Sequence, residues 1–145
     1  MTTPTITAPE VARTCLCLHV QRAARTVGRR YDQALHPLGL TNGQFSILMF
    51  LNRPQPVGMA ELAKPLGMDR TTLTAALKPL ERRGLVRLDQ DPDDCRARRI
   101  ELTDAGRALL GDAVPLWERA QAELEKTVLA DTDLNRLRAN LAAMA

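Results

Sequence analysis

The sequence predicts a mainly α fold in which short helices and one β-hairpin form a central unit, flanked by helices at both ends. Three observations carry that reading. Only two Phe, one Trp and one Tyr occur among 145 residues, so packing must rest on Leu, Ala, Val and Met, which favours helices over a β-sandwich. Apolar residues recur at helical spacing along most of the chain. One stretch alone, between Gly84 and Thr103, reads as strand, turn, strand. A chain of this length hides roughly two-thirds of the surface its unfolded form exposes, so a single domain needs neither disulfide nor metal to stay folded.

Residues 1–9, with two Pro and four Thr, read as a flexible tail. From Glu10 to Leu38 the spacing of Val11, Leu16, Val20, Ala23, Ala24, Val27, Tyr31 and Leu35 predicts one helix, ended by Pro37 and Gly39. Thr41-Asn-Gly-Gln44 is a capping-box pattern, and it opens a second helix to Leu51 with Phe45, Leu48 and Met49 on its inner side. Arg53-Pro-Gln-Pro56 is a rigid break. Met59 starts a short third helix, and Pro65 and Gly67 turn the chain. Asp69 then caps a fourth helix that reaches Arg83 and is closed by Gly84.

Two short helices separated by a Gly-containing turn form a helix-turn-helix. Leu85–Leu88 and Arg98–Leu102, on either side of the acidic turn Asp89–Asp94, form the hairpin. Thr103-Asp104 caps a long fifth helix through Val128, in which Pro115 is expected to bend the axis or leave one backbone bond to solvent. Asp131 or Thr132 caps a last helix with Leu134, Leu137, Leu141 and Met144 on one stripe. The chain therefore divides into a winged helix-turn-helix over residues 41–103 and a helical region formed by 10–38 and 104–145. The flanking helices carry apolar stripes without an internal partner, which marks them as N- and C-terminal dimerisation helices.

Composition excludes several functions. The longest strictly apolar run, Ile47–Leu51, is far too short to span a membrane. The N-terminus has neither a basic nor an apolar export region, so a cytoplasmic location is expected. Three cysteines, Cys15, Cys17 and Cys95, argue against a disulfide framework, and Cys15-x-Cys17 has the wrong spacing for a zinc knuckle. No metal and no cofactor is expected. No nucleophile triad, His-Glu-x-x-His, phosphate-cradling glycine loop or convergent acidic pair is present, which argues against an enzyme.

Charge points elsewhere. Residues 1–99 hold 15 basic against 9 acidic side chains, a balance of +6, whereas residues 100–145 hold 5 against 8, a balance of −3. Seventeen of the twenty basic residues are Arg, the side chain suited to bidentate contact with phosphate and guanine. A winged helix sets its second helix in the major groove of DNA and its hairpin tip near the adjacent minor groove. Arg70, Thr71, Thr72 and Thr74 then lie in the first turns of the recognition helix, with Lys78 two turns beyond Arg70. Arg82 and Arg83 read as solvated charge at the helix C-terminus.

The segments Glu61-Leu-Ala63, Leu66-Gly67-Met-Asp69-Arg-Thr-Thr72-Leu-Thr74, Leu77-x-x-Leu80-Glu81-x-x-Gly84-Leu-Val86, Asp91-Pro-Asp-Asp94-x-Arg96 and Leu102-Thr103-x-x-Gly106 resemble, in order and spacing, the MarR family of transcriptional regulators. The resemblance implies a homodimer in which each winged helix reads half of a near-palindromic double-stranded operator. It also implies that Arg96 is the minor-groove arginine, oriented by Asp94 through a salt bridge. Cys95 stands where the family commonly carries another Arg, and Arg98 or Arg99 can make up that charge. Pro79 departs from most members and is expected to bend the recognition helix.

Family members answer to small phenolic or aromatic acids, or to oxidation of a cysteine. His19, Arg22, Arg25 and Trp117 are the effector-binding candidates, because a carboxylate wants Arg or His and a ring wants an apolar wall. Tyr31-Asp32-x-Ala34-Leu35 and Pro115-x-Trp117-x-x-Ala120-Gln121 resemble regulators of aromatic-acid catabolism. Cys17 matches the reactive cysteine of the hydroperoxide-sensing branch, although Gln21 replaces one of that branch's tyrosines. The expectation is a repressor released by a small aromatic acid. Redox sensing through Cys17 is the alternative, and a helical protein-interaction module a distant one.

Overall fold

The computed structural model describes residues 5–145. Thr7 closes a capping box with Glu10 and starts α1 (Ala8–Thr14), so helix begins within the stretch expected to be tail; residues 1–4 lie outside the described residues. The single helix expected over 10–38 is broken. Cys15 takes an extended conformation, φ −72° and ψ 107°, and its sulfur accepts the Leu18 N–H at 3.4 Å, capping α2 (Leu16–Leu35). A short 3-10 turn, His36–Leu38, ends at Gly39.

The Thr41–Gln44 capping box opens α3 (Asn42–Leu51) as expected. Its inner face differs: Phe45, Ile47, Leu48 and Leu51 are buried, while Met49 is exposed. β1 (Val57–Gly58) precedes α4 (Met59–Leu66). Pro65 falls in the last turn of α4 and not in the turn that follows. Gly67 makes that turn with φ +62°, a left-handed conformation that costs glycine little. Asp69 caps α5 (Arg70–Arg82), which continues unbroken through Pro79. The hairpin is β2 (Val86–Gln90) and β3 (Arg98–Leu102). Thr103 caps α6 (Asp104–Thr127), which likewise continues through Pro115. Asp133, rather than Asp131 or Thr132, caps α7 (Leu134–Ala142).

The fold is a winged helix-turn-helix carried on long helices. Its sheet is antiparallel in the order β1-β3-β2, with Val57 opposite Ile100, and Val86 opposite Leu102. Period-2 alternation turns Val86, Ile100 and Leu102 inward. There they join Leu48, Leu51, Leu62, Leu73, Leu77 and Leu80 in one core. No buried residue comes from α1 or α7, and α2 buries only Leu35. The core therefore ties α4, α5 and the base of the wing together, while the outer helices and the C-terminal end keep apolar side chains such as Leu16, Leu141 and Met144 exposed.

Candidate nucleic-acid interface

The start of α5 is built by local hydrogen bonds. Asp69 Oδ1 accepts the Thr72 N–H at 2.7 Å and Asp69 Oδ2 accepts the Thr72 hydroxyl at 3.0 Å. The Thr74 hydroxyl donates to the Arg70 carbonyl at 2.7 Å. Both threonines have thus given their protons to the helix and offer lone pairs and methyls outward. Leu73, Leu77 and Leu80 face the core, so Thr71, Thr74, Ala75 and Lys78, at i, i+3, i+4 and i+7, share the exposed face. The small side chain of Ala75 leaves that face open to close approach.

The Thr72 backbone and side-chain bonds hold the Asp69 carboxyl below the usual aspartate range. A lowered folded-state pKa contributes stability that is complete above the unfolded pKa and lost as pH falls through the folded one. Asp69→Ala is therefore expected to melt earlier than the parent at neutral pH, with the two melting curves converging in strong acid. Equal melting temperatures at neutral pH would show that the cap does not hold the helix.

The wing loop is organised differently from the expectation. Asp94 accepts the Arg96 backbone N–H at 3.0 Å, and no ion pair joins the Asp94 and Arg96 side chains among the described residues. The acid that ties the loop is Asp91: it accepts the Asp93 N–H at 2.8 Å and the Arg99 Nε–H at 2.7 Å. Those bonds, the backbone one first, hold the Asp91 carboxyl below its ordinary range. Arg99 is thereby committed to Asp91, whereas Arg98 is exposed and has no carboxylate partner among the described residues. Arg83 differs as well. It is not merely solvated, for its guanidinium donates to the Gly39 and Leu38 carbonyls at 2.8 and 3.0 Å, clipping the end of α5 to the turn after α2.

Arg70, Asp91, Asp94, Arg96, Arg98 and Arg99 line one cleft of about 460 Å³ between α5 and the wing, together with residues 58–61. Lys78 stands apart, further along the exposed face of α5. Among the described residues Arg70, Arg96 and Arg98 form no ion pair, while Asp91 is paired with Arg99 and Glu61 with Arg53. The cleft therefore keeps a positive balance, which attracts a polyanion.

The effector candidates do not gather in one place. His19, whose Nδ1 meets the Cys15 carbonyl at 2.8 Å, and Arg22 are exposed on α2. Trp117 stacks on Phe45 and Tyr31, with ring centroids 5.9 and 6.4 Å apart. These three rings line a cavity of about 340 Å³. It shares Ala24, Gly28 and Asn42 with a second, of about 410 Å³, that includes Arg25 and Arg29. On the other side it shares Phe45, Ser46 and Trp117 with a third, of about 550 Å³, lined by Met49, Phe50 and Val114. Arg25 and Trp117 thus stand along one groove between α2, α3 and α6. Arg29, a residue the sequence did not single out for this role, joins them, and His19 and Arg22 do not.

Cys17 is exposed in the first turn of α2. Tyr31 lies fourteen residues along the same helix, roughly 21 Å away by helical rise, and its hydroxyl donates to Gln121 instead. No group of three or more His, Cys, Asp or Glu is placed to hold a metal among the described residues. Among the described residues no helix is long and apolar enough to cross a membrane.

Comparison with known proteins agrees with this architecture. The MarR family model matches residues 40–97, the segment from the start of α3 to the wing. The transcriptional regulator MosR of M. tuberculosis, solved in complex with DNA, is 46% identical, with 90% of this chain and 92% of that one covered and a TM-score of 0.81. The transcriptional repressor CouR, bound to a 23-mer DNA duplex, is 30% identical over 97% of this chain and 99% of its own, with a TM-score of 0.80. CouR from Rhodococcus jostii RHA1 has also been solved bound to p-coumaroyl-CoA, at 25% identity, 91% and 92% coverage and a TM-score of 0.76. The regulator TtmR of Methylorubrum extorquens is 38% identical over 109 residues, which is 74% of this chain and 56% of that protein.

Proposed function

The chain belongs to the MarR family of DNA-binding transcriptional regulators, and on that premise we propose that it is a repressor which binds a near-palindromic operator as a homodimer and leaves it when a small aromatic acid binds. The observation that carries the DNA half is the shared cleft of Arg70, Arg96 and Arg98 beside the exposed polar face of α5. In that geometry Arg70, Thr71 and Lys78 supply donors for phosphates or guanine, while Thr72 and Thr74 present acceptors to the amino groups of adenine or cytosine. Arg96 and Arg98 enter the minor groove, whose narrow A·T-rich form concentrates negative potential.

A dimer is supported by the exposed apolar residues Val11, Leu16, Val20 and Leu141 of the outer helices and Met144 just beyond α7. Covering them removes apolar surface from water, and two-fold symmetry would then present two recognition helices to one face of a duplex. Ligand control is supported by the groove that runs from Arg25 and Arg29 to the rings of Tyr31, Phe45 and Trp117. An arginine pair at one end suits a carboxylate, and stacked rings suit an aromatic body. CouR, solved bound to p-coumaroyl-CoA, is a relative whose ligand carries an aromatic body.

A second reading rests on the exposed thiol of Cys17, an accessible target for a hydroperoxide. One titration separates the two. Purified protein on DNA from its own promoter region is expected to shift in a gel, to lose the shift when 4-hydroxybenzoate or p-coumarate is added, and to keep it with cumene hydroperoxide. Release by peroxide that disappears in Cys17→Ser would replace ligand control with redox control. Binding no tighter than to bulk DNA would remove the repressor reading altogether.

A further inference from the structure

One hydrogen-bonded chain joins the aromatic groove to the far end of the molecule. The Tyr31 hydroxyl, on the groove wall, donates to Gln121 Oε1 on α6. Gln121 Nε2 donates to Glu125 Oε1 at 2.5 Å, one turn further along α6. The same Glu125 oxygen accepts from the Arg138 guanidinium of α7 at 2.6 Å. Among the described residues this is the one side-chain hydrogen bond that leaves α7 for another element. The helix buries no residue of its own, and Leu134 and Leu137 are only half-buried. Its seating therefore depends heavily on Glu125.

Gln121 has its carbonyl committed to one neighbour and its amide nitrogen to the other, so its orientation is read at both ends. Burial holds the Tyr31 hydroxyl above its ordinary range, Glu125 pushing the same way and Arg138 opposing, so the group is a protonated donor at neutral pH. We propose that the Tyr31 hydroxyl reports occupancy of the groove to α7 through Gln121, Glu125 and Arg138. A carboxylate or carbonyl oxygen of an aromatic ligand that accepts the Tyr31 O–H takes it from Gln121. The amide then loses the bond that orients it toward Glu125, and Arg138 is held by a carboxylate with one fewer donor fixing its position. The C-terminal helix, proposed above as part of the dimer contact, is loosened as the ligand enters. This inference rests on the ligand-control reading for its purpose, but the relay itself is a property of the free protein.

The test uses the full chain without DNA or ligand, so failure of operator release and failure of the relay are separately visible. Backbone amide exchange of α7 is measured by mass spectrometry in the parent, Tyr31→Phe, Arg138→Ala, their double variant and Glu123→Gln. Tyr31→Phe keeps the ring and removes only the donor, imitating a hydroxyl drawn away by ligand. Exchange across α7 is expected to rise about fivefold or more in both single variants. The double variant is expected to exchange no faster than either, because both cut one chain. Glu123→Gln, on α6 between Gln121 and Glu125 but outside the chain, should leave α7 at the parent rate. Parent-like exchange in Tyr31→Phe, additive effects in the double variant, or equal acceleration in Glu123→Gln would each overturn the proposal.

Discussion

Replacing Arg96 by alanine is expected to weaken operator binding at least about tenfold, or ~1.4 kcal/mol, with no fall in melting temperature. The two halves of that expectation have separate causes. Arg96 is exposed at the wing tip, and its guanidinium has no carboxylate partner among the described residues. The loop is held instead by Asp91, by the Asp94 carboxylate on the Arg96 backbone and by Gln90 Nε2 on the Cys95 carbonyl. Deleting the side chain leaves every one of those bonds in place, so the wing keeps its shape. Binding is expected to lose a charge from a narrow groove of high negative potential, and in the proposed dimer each of two wings loses one. The slope of log affinity against log salt should shrink by about 0.9 for each phosphate charge no longer neutralised. Gel-shift titration at two salt concentrations checks both numbers, and unchanged affinity would take the wing out of recognition.

The largest expected effect on stability is at Gly106. A Cβ built there would stand 2.1 Å from the Leu85 carbonyl oxygen and 3.1 Å from Leu102 Cδ2. The oxygen belongs to backbone that cannot swing aside. Leu85 N donates to the Leu80 carbonyl at 3.0 Å, its carbonyl accepts the Thr103 N–H at 3.1 Å, and its side chain is buried. Gly106→Ala must therefore displace the strand that leaves the recognition helix or the first turn of α6. A cost of ~3 kcal/mol is expected, seen as a melting temperature lower by about 10 °C. Gly111→Ala is the control: nothing lies within 4 Å of its Cβ position, and it sits on the exposed side of the same helix. There alanine should be neutral or stabilising by up to ~1 kcal/mol. Equal melting of the two variants would mean that the close approach at Gly106 is relieved at no cost.

Gly106 also explains one of the recurring sequence blocks. In Leu102-Thr103-x-x-Gly106, the Thr103 hydroxyl oxygen accepts the Gly106 N–H at 3.0 Å and donates to the Gly84 carbonyl at 2.6 Å. The motif welds the end of the recognition helix to the start of α6, and the missing side chain makes room for the weld. Other blocks have equally local reasons. Asp69 with Thr72, and Thr41 with Gln44, are caps readable from four consecutive residues.

Some misreadings share a cause: a continuous apolar run has no phase. Ile47–Leu51 is apolar at every position, so spacing could not tell that Ile47 and Leu51 turn inward and Met49 outward. β1 is two residues long, and its partner Ile100 lies far along the chain. The break at Cys15 was missed because sulfur is a weak cap and stands outside the usual Ser, Thr, Asp and Asn set. In the wing, several acids crowd one turn, and composition could not say that Asp91 rather than Asp94 meets an arginine.

From the residues alone came the helix-turn-helix, its caps and hairpin, and the polar face of α5, because each depends on interactions reaching three or four positions along the chain. Folding in three dimensions settled which arginines are spent and which are free. Arg83 closes on Gly39 across 44 residues and Arg99 on Asp91, leaving Arg70, Arg96 and Arg98 to share a cleft. It also set Arg25 beside the aromatic groove and joined Tyr31 to Gln121 across 90 residues. Pairings of that reach depend on how helices and sheet pack, and no local pattern encodes which of many arginines or carboxylates will meet.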